Sequence, residues 1–255
     1  MKTLILKSLL ILCVISISMS CAEKNKNGYT EIEVTTESKK VNAFFQKSFD
    51  ESVDMYPEFQ TRLGIKKEYG KLNDNSFAFL EKTHEINKKE LAWLTDSVNV
   101  KALSKEALLS YKLFKQTLEN NIEDYKYRLH DYPVNQMFGA QSGKPAFMIN
   151  MHRIDNAKDA EDYVSRLNGF NSFFSQLVEN LKAREAIGII PPKFVFDKVI
   201  EDSENILIGQ PFDSTDQKST LLNDFLEKID TLDIAADTKS NLETRARHAL
   251  LTSVK

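Results

Sequence analysis

The fold is decided by the stretch from Ser104 to Leu129, which reads SKEALLSYKLFKQTLENNIEDYKYRL. Apolar residues recur in it every three or four positions, which is the spacing of one face of an α-helix. These residues are Ala107, Tyr111, Phe114, Leu118, Ile122, Tyr125 and Leu129. Ser104 stands where a side-chain oxygen can cap the first turn. The stretch therefore predicts a long helix that buries one face.

The same period continues on both sides of this stretch. It predicts further helices over residues 41–56, 77–95, 157–188, 221–229 and 240–255. Another predicted helix starts at Pro191-Pro192, and its apolar contacts are Val195, Phe196, Val199 and Ile200. Asn156 is a predicted cap for the helix that follows it, and Ser240 with Glu243 resembles a capping box. The fold class that follows is all-α, a multi-helix array of long amphipathic helices. Since the last helical pattern runs to Lys255 without a termination signal, we expect the chain to be truncated at its C-terminus.

Residues 131–155 interrupt the helical pattern with two prolines and two glycines, yet contain the apolar run from Ala146 to Met151. An irregular segment of this length in a helical domain is uncommon unless it is functional. We predict a loop that forms the wall of a cleft, with substrate contacts from Tyr132, Asn135, Gln136, Phe147 and His152. The alternative is that the loop's polar side chains only satisfy its own backbone groups.

The first twenty residues have the form of an export signal. Lys2 and Lys7 precede an apolar run that is too short to span a membrane, and small residues and Cys21 follow. We predict a lipoprotein signal peptide over residues 1–20, lipidation of Cys21 and a flexible tether over residues 21–40, ahead of a helical domain over residues 41–255. The alternative is an ordinary secretory signal with an incidental cysteine. We expect the mature protein to be exported and membrane-anchored, facing the periplasm or the cell surface. Ala22 at the second mature position favours the outer membrane as its destination.

Composition and motifs provide little evidence for catalysis. The formal net charge is -3, and no stripe of basic and aromatic residues suggests a nucleic-acid partner. His84-Glu85 begins like a zinc-peptidase helix, but Lys88 stands where the second histidine would be. His130, His152 and His248 have no second ligand at helical spacing. Glu90 lies on an apolar helix face, either as a buried acid or as a residue at the edge of the stripe or in a salt bridge to a neighbouring helix. We predict neither a catalytic residue nor a metal site in this chain.

Four stretches resemble the bacterial lipoproteins of the domain of unknown function 885 (DUF885) family. They are VNAFFQKSFDESVDMYPEFQTRLG (41–64), YPVNQMFG (132–139), MHRIDNAKDAEDYVSRLNGF (151–170), and Gly188 with Pro191-Pro192. The family is helical, considerably longer than this chain, and similar to zinc peptidases. The resemblance implies that the second half of a family member holds a metal site, formed by a His-Glu pair that Pro-Gly-His closely follows. The sequence given contains no such segment.

The resemblance implies that this chain is the N-terminal portion of a larger metallopeptidase-like fold, inactive alone, with peptide as the substrate class. Zinc is then expected only in the full-length family member, and the membrane is a partner through the lipid on Cys21. A hypothesis of a different class is a non-catalytic helical lipoprotein that binds a peptide, a glycan or a protein partner.

Overall fold

The structure, a computed structural model, describes residues 24–255. Within this range the protein is all-α, with nine α-helices and no strand, and the predicted fold class is confirmed. The helices are α1 (Glu31–Met55), α2 (Pro57–Arg62), α3 (Phe77–Ser97), α4 (Lys105–Asp124), α5 (Ala140–Met151), α6 (Ala157–Ala186), α7 (Lys193–Ile206), α8 (Thr220–Asp230) and α9 (Ala236–Ala249). Two 3-10 turns (Val100–Ala102 and Tyr125–Tyr127) and a π-helical turn (Leu250–Val254) complete the elements. The predicted signal peptide and Cys21 lie outside the described residues.

The chain divides into two compact units. The first unit contains most of α1, the C-terminal half of α3 and most of α4, within residues 24–47 and 89–119. Its core uses the apolar positions of α4 that the sequence predicts, such as Ala107, Tyr111 and Leu118. Phe44 stacks on Trp93 beside this core, with ring centroids 3.9 Å apart.

The second unit comprises residues 48–88 and 120–255, and α6 lies at its centre. Tyr163, Leu167 and Phe170 of this helix are buried almost completely. Helices α8 and α9 and the final π-helical turn pack on α6, while α5 contacts α7 and α8. Among the residues described, no helix has both the length and the apolar character that crossing a membrane requires.

The structure tests the predicted helix starts individually. Ser104 Oγ accepts from the Ala107 amide at 3.2 Å, and Asn156 Oδ1 accepts from the Asp159 amide at 3.0 Å, so both predicted caps are confirmed. The prediction for Ser240 is wrong, because α9 already begins at Ala236.

The prediction of a structureless tether as far as residue 40 is also wrong, because α1 begins at Glu31. Thr30 and Glu33 form a reciprocal capping box at this end of the helix. The Thr30 amide donates to Glu33 Oε2 at 2.8 Å, and the Glu33 amide donates to Thr30 Oγ1 at 3.3 Å. Two amides at the helix start are thereby satisfied, which allows a polar sequence to begin a helix.

The third correction concerns residues 131–155, which we predicted to be irregular throughout. Residues 140–151 instead form α5, although Pro145 lies inside the helix. The proline removes one amide donor, but the helix buries Phe147 and Met148 in the core of the second unit. Lys228 Nζ also donates to the carbonyls of Met148 and Ile149, at 3.1 and 2.9 Å. Tertiary packing therefore outweighs the local breaker signal.

Candidate functional site

A buried arginine links several segments beneath the surface of the second unit. The Arg166 side chain is fully buried in α6, and burial lowers the pKa of its guanidinium to about 10. Its Nε donates to the Lys71 carbonyl at 2.9 Å, and its Nη2 donates to Thr61 Oγ1 at 2.6 Å. The rings of Tyr69 and Phe147 lie 4.9 and 5.0 Å from the guanidinium carbon. This arrangement stabilises the fold around α6 and does not face solvent.

His152 is the imidazole partner of this arginine. Arg166 Nη1 donates to His152 Nδ1 at 2.8 Å, so the remaining proton is on Nε2, which donates to the Asp159 carbonyl at 3.0 Å. Burial, with the nearby Arg166 charge, lowers the pKa of His152 to about 3. The imidazole is therefore neutral at physiological pH and both of its ring nitrogens are engaged.

The residues predicted as cleft contacts separate into two groups. Phe147 and His152 are 3% and 1% exposed, so they belong to the core and do not line a solvent-facing cleft. Tyr132 is 45% exposed and Gln136 is also exposed, whereas Asn135 is half-buried. Of the five predicted contacts, the structure thus places Tyr132 and Gln136 at the surface and Phe147 and His152 in the core.

Asn135 shapes the turn that precedes α5. Its Oδ1 accepts from the amides of Met137 and Phe138, and its Nδ2 donates to the Tyr132 carbonyl, all within 2.9 Å. A side chain added at Gly139 would lie 2.6 Å from the Asn135 backbone, so the turn requires glycine at this position. Asn135 accordingly satisfies the backbone of its own loop, as the alternative interpretation of this segment expects.

The zinc ligands that the family resemblance implies do not fit the residues present. Within residues 24–255, no three His, Cys, Asp or Glu side chains are close enough to hold a metal. His84 is buried and stacks on Tyr125 at 3.9 Å, and both nitrogens of His152 have other partners. His130 and His248 are exposed and lie in different parts of the second unit.

The surface of the second unit has an apolar groove between the C-terminal half of α6 and the first turns of α7. We call it the α6–α7 groove; its volume is about 290 Å³. Its lining residues are Val134, Val178, Leu181, Lys182, Glu185, Ile189, Ile190, Pro191, Val195, Phe196 and Val199. Gly188, with a φ of 79°, ends α6 and lets the chain turn into α7. Pro191-Pro192 sets the start of α7, which places Val195 and Val199 opposite α6.

The groove is open and nearly uncharged. Val178, Ile190 and Phe196 are each 46–49% exposed, which is unusual for large apolar side chains gathered in one place. Lys182 Nζ pairs with Glu179 at 3.0 Å at the rim, and both side chains of this pair are mostly solvated. Recognition in the groove would therefore depend on apolar contact more than on charge.

Two further depressions continue along α6 from this groove. One is lined by polar residues such as Ser175 and Ser253 together with Phe174 and Val178, and the other lies between Phe174, Leu207 and Val254. Their volumes are about 410 and 250 Å³. We call them the terminal depressions, because residues 254 and 255 line both.

The model of a family of bacterial proteins of unknown function, DUF885, matches residues 57–255. The chain belongs to the DUF885 family. This assignment confirms the family named from the four sequence stretches. Two of them, 132–139 and 151–170, contain the turn at Asn135 and the pair of His152 with Arg166. In this DUF885 chain those two stretches hold structural contacts, as described above.

A solved structure has the same fold as the DUF885 chain. It is described as "the putative lipoprotein from Colwellia psychrerythraea", is 16% identical in sequence and superposes with a TM-score of 0.69. The match covers 86% of the DUF885 chain but 39% of the other, so this chain spans well under half the length of that structure. No curated protein matches the sequence.

Sequence analysis did not identify the groove of this DUF885 protein. Val195, Val199 and Phe196 were recognised as apolar helix positions, which the sequence alone cannot assign to a core or to an exposed cleft. The feature that could have indicated the groove is the wide apolar face of α7. This face includes the exposed residues Phe196 and Ile200 beside the buried Val195.

Proposed function

We propose that this chain is the non-catalytic helical part of an exported, lipid-anchored protein, and that its α6–α7 groove binds apolar side chains of a peptide. The observation that carries the proposal is the groove itself, a solvent-open apolar cleft of about 290 Å³ between two helices. Clefts of this kind are the usual place for ligand binding in a helical protein.

Export and anchoring are supported by the sequence and by the relative. The export signal over residues 1–20 precedes Cys21, whose thiol would carry the lipid. The Colwellia psychrerythraea protein with the same fold is itself described as a lipoprotein, which supports the same assignment here. The outer membrane is the proposed destination.

A peptide suits the groove better than a glycan. Glycan sites need many polar side chains for the hydroxyl groups of the sugar, whereas the walls of this groove are mainly valine, leucine, isoleucine, proline and phenylalanine. Peptide side chains would bury their apolar area against these walls, at about 25 cal/mol for each Å² removed from water. Lys182 and Glu185 are the charged residues among the lining of the groove and would be available to the backbone of a bound peptide.

The peptidase activity that the family resemblance implies is assigned to the longer protein and not to this chain. Among residues 24–255 no three His, Cys, Asp or Glu side chains are grouped as a metal site would need, and the Pro-Gly-His segment that the resemblance implies is not in the sequence given. In the whole protein the groove would hold a peptide while chemistry takes place on residues outside this chain.

The test compares two phenylalanines of the same helix. Phe196 lines the groove, whereas Phe194 is 64% exposed and is not among the lining residues. Binding of a fluorescein-labelled hexapeptide of leucine and phenylalanine would be followed by fluorescence anisotropy, with a hexapeptide of glycine and serine as the negative probe. Phe196→Ser should weaken binding roughly tenfold, because the groove loses one of its apolar walls. Phe194→Ser should bind as the parent does.

Three outcomes would contradict the groove assignment. They are equal affinity of the two variants, equal binding of the two hexapeptides, and absence of binding by the parent. Preferential binding of a soluble oligosaccharide would instead support the glycan-binding alternative.

A further inference from the structure

Residues 24–30 form a folded turn ahead of α1, which we call the N-terminal turn. Asn25 organises it, because its Oδ1 accepts from the amides of Asn27 and Tyr29 at 2.9 and 3.0 Å. The Asn25 amide also donates to the Tyr29 carbonyl at 2.7 Å. Gly28 has a φ of 87°, which glycine adopts without strain. These polar residues therefore build a turn that satisfies much of its own backbone.

Two side-chain hydrogen bonds fix the N-terminal turn to the rest of the first unit. Asn27 Nδ2 donates to the Lys101 carbonyl at 3.0 Å, and Asn99 Nδ2 donates to the Tyr29 hydroxyl at 2.9 Å. Residues 99–101 follow the end of α3 and precede the start of α4, while the N-terminal turn precedes the start of α1. The two segments therefore lie together at one end of the first unit, which we call the anchor end.

The exposed side chains of the anchor end carry both signs of charge. Lys24, Lys26 and Lys101 are exposed, and so is Glu33 in the first turn of α1. Ile32 in the same turn is 76% exposed and adds an apolar side chain. A surface of mixed charge suits zwitterionic headgroups, whereas binding to a strongly anionic membrane depends on a cluster of basic residues.

The predicted lipidation site is very close to this folded end in the sequence. Cys21 stands three positions ahead of Lys24. Consecutive Cα atoms are about 3.8 Å apart, so the Cα atoms of these two residues can be separated by at most about 11 Å. A lipid on the Cys21 sulfur would therefore have no long spacer between it and the N-terminal turn, in contrast to the tether predicted over residues 21–40.

We propose that the anchor end of the first unit lies directly against the phospholipid headgroups of the membrane. The inference rests on the lipid anchoring in the proposed function and adds which surface of the protein faces the lipid. Asn27 and Asn99 hold the N-terminal turn to residues 99–101, so the position of the anchor determines the position of both segments. Lys101 should consequently lie near the headgroups although it is far from Cys21 in the sequence.

Engineered thiols can locate the membrane surface, because Cys13 and Cys21 are the two cysteines of the sequence and neither would be a free thiol in the lipidated mature protein. Lys101→Cys reports on the anchor end. Lys47→Cys is the matched control, at an exposed lysine of the same unit that lies about 24 Å along α1 from Glu31. Each lipidated variant would be labelled with bimane and reconstituted into phosphatidylcholine vesicles, with and without spin-labelled headgroups.

Spin-labelled headgroups quench only those fluorophores that come close to them. The bimane at residue 101 should therefore lose at least about three times as large a fraction of its emission as the bimane at residue 47, because the anchor holds the first near the headgroups and not the second. Equal quenching at the two positions, or stronger quenching at residue 47, would overturn the proposal.

Flotation of the vesicles in a density gradient measures the anchoring separately. If both variants float with the vesicles but are quenched equally, the lipid anchor stands and the anchor end is not the surface that faces the membrane. If neither variant floats, the lipid anchor is rejected, and this inference with it.

Discussion

Arg166 illustrates how a charged side chain can be buried in a small helical unit. Its donors are shared among a carbonyl, a hydroxyl and an imidazole, and two aromatic rings lie within about 5 Å of the guanidinium. Each partner belongs to a different segment of the chain, so one side chain joins α2, the loop after it, the end of α5 and α6. Burial of the charge is tolerated because the available donors have partners.

We predict that Arg166→Met lowers the free energy of unfolding by roughly 3 kcal/mol or more, because buried acceptors lose their donor. Urea denaturation followed by circular dichroism would measure the change. Arg245→Met is the control, since Arg245 is exposed and lies 4.0 Å from Glu161; it should change the free energy by less than about 0.5 kcal/mol. Equal effects of the two substitutions would contradict the structural role of Arg166.

His152 should make stability depend on pH. The folded protein holds its pKa at about 3, against 6.5 for the free side chain, so between these values only the unfolded chain binds the proton. Stability is therefore lost as pH falls below 6.5, by up to about 1.4 kcal/mol for each pH unit.

We predict that His152→Gln, which cannot titrate, loses less stability than the parent between pH 7 and pH 5. This interval covers the pH just below 6.5, where the unfolded chain already binds a proton at His152 and the folded protein does not. Urea denaturation at the two pH values would measure both losses. His130→Gln, at an exposed histidine, should lose as much as the parent. Equal losses for His152→Gln and the parent would show that His152 is not the group responsible.

At the scale of the helices, the sequence predicts those that have strong apolar stripes and caps. It locates α6 and α4 to within a few residues, because Asn156 and Ser104 cap long amphipathic patterns. It misses α5, because Pro145 and two glycines are local breakers, and the contacts that hold this helix come from Lys228, far along the chain. Such long-range hydrogen bonds are invisible to a periodicity argument.

The capping box of α1 has a recognisable sequence spacing, Thr30 followed by Glu33, which the prediction of a tether overlooked. Its contribution can be tested. We predict that Thr30→Ala destabilises the first turn of α1 by about 1 kcal/mol, because the Glu33 amide loses its side-chain acceptor. Hydrogen exchange of the amides at residues 31–36 should accelerate by several-fold. Thr35→Ala, at an exposed interior position of α1, should leave their exchange close to that of the parent. Unchanged exchange in Thr30→Ala would mean that the cap does not hold the helix end.

At the scale of the whole molecule, the all-α class and the family are predictable, whereas the candidate site is not. The predicted site residue Phe147 is in the core, while the groove consists of residues such as Val199 and Phe196 that resembled ordinary core positions. Exposure of an apolar residue depends on which elements pack beside it, and a single sequence does not contain that information.

The proposed attachment to the membrane concerns the mature protein as a whole. We predict that Cys21→Ser moves the protein from the membrane fraction to the soluble fraction, because the acyl chains on that sulfur would be its anchor. Cys13→Ser is the matched control and should remain in the membrane fraction, since Cys13 lies in the predicted signal peptide. Retention of Cys21→Ser in membranes would place the anchor elsewhere. Fractionation of cells that express each variant provides the measurement.

The hydrogen bond between Thr61 and Arg166 also fixes an order of events during biosynthesis. The two residues are 105 positions apart, so at a synthesis rate of about 5–20 residues per second the first waits roughly 5–20 s for the second. During this interval α2 and the loop after it lack the hydrogen bonds that Arg166 makes with them in the folded protein. For the export proposed above such a delay would be an advantage, because the second unit cannot close before the centre of α6 has been made.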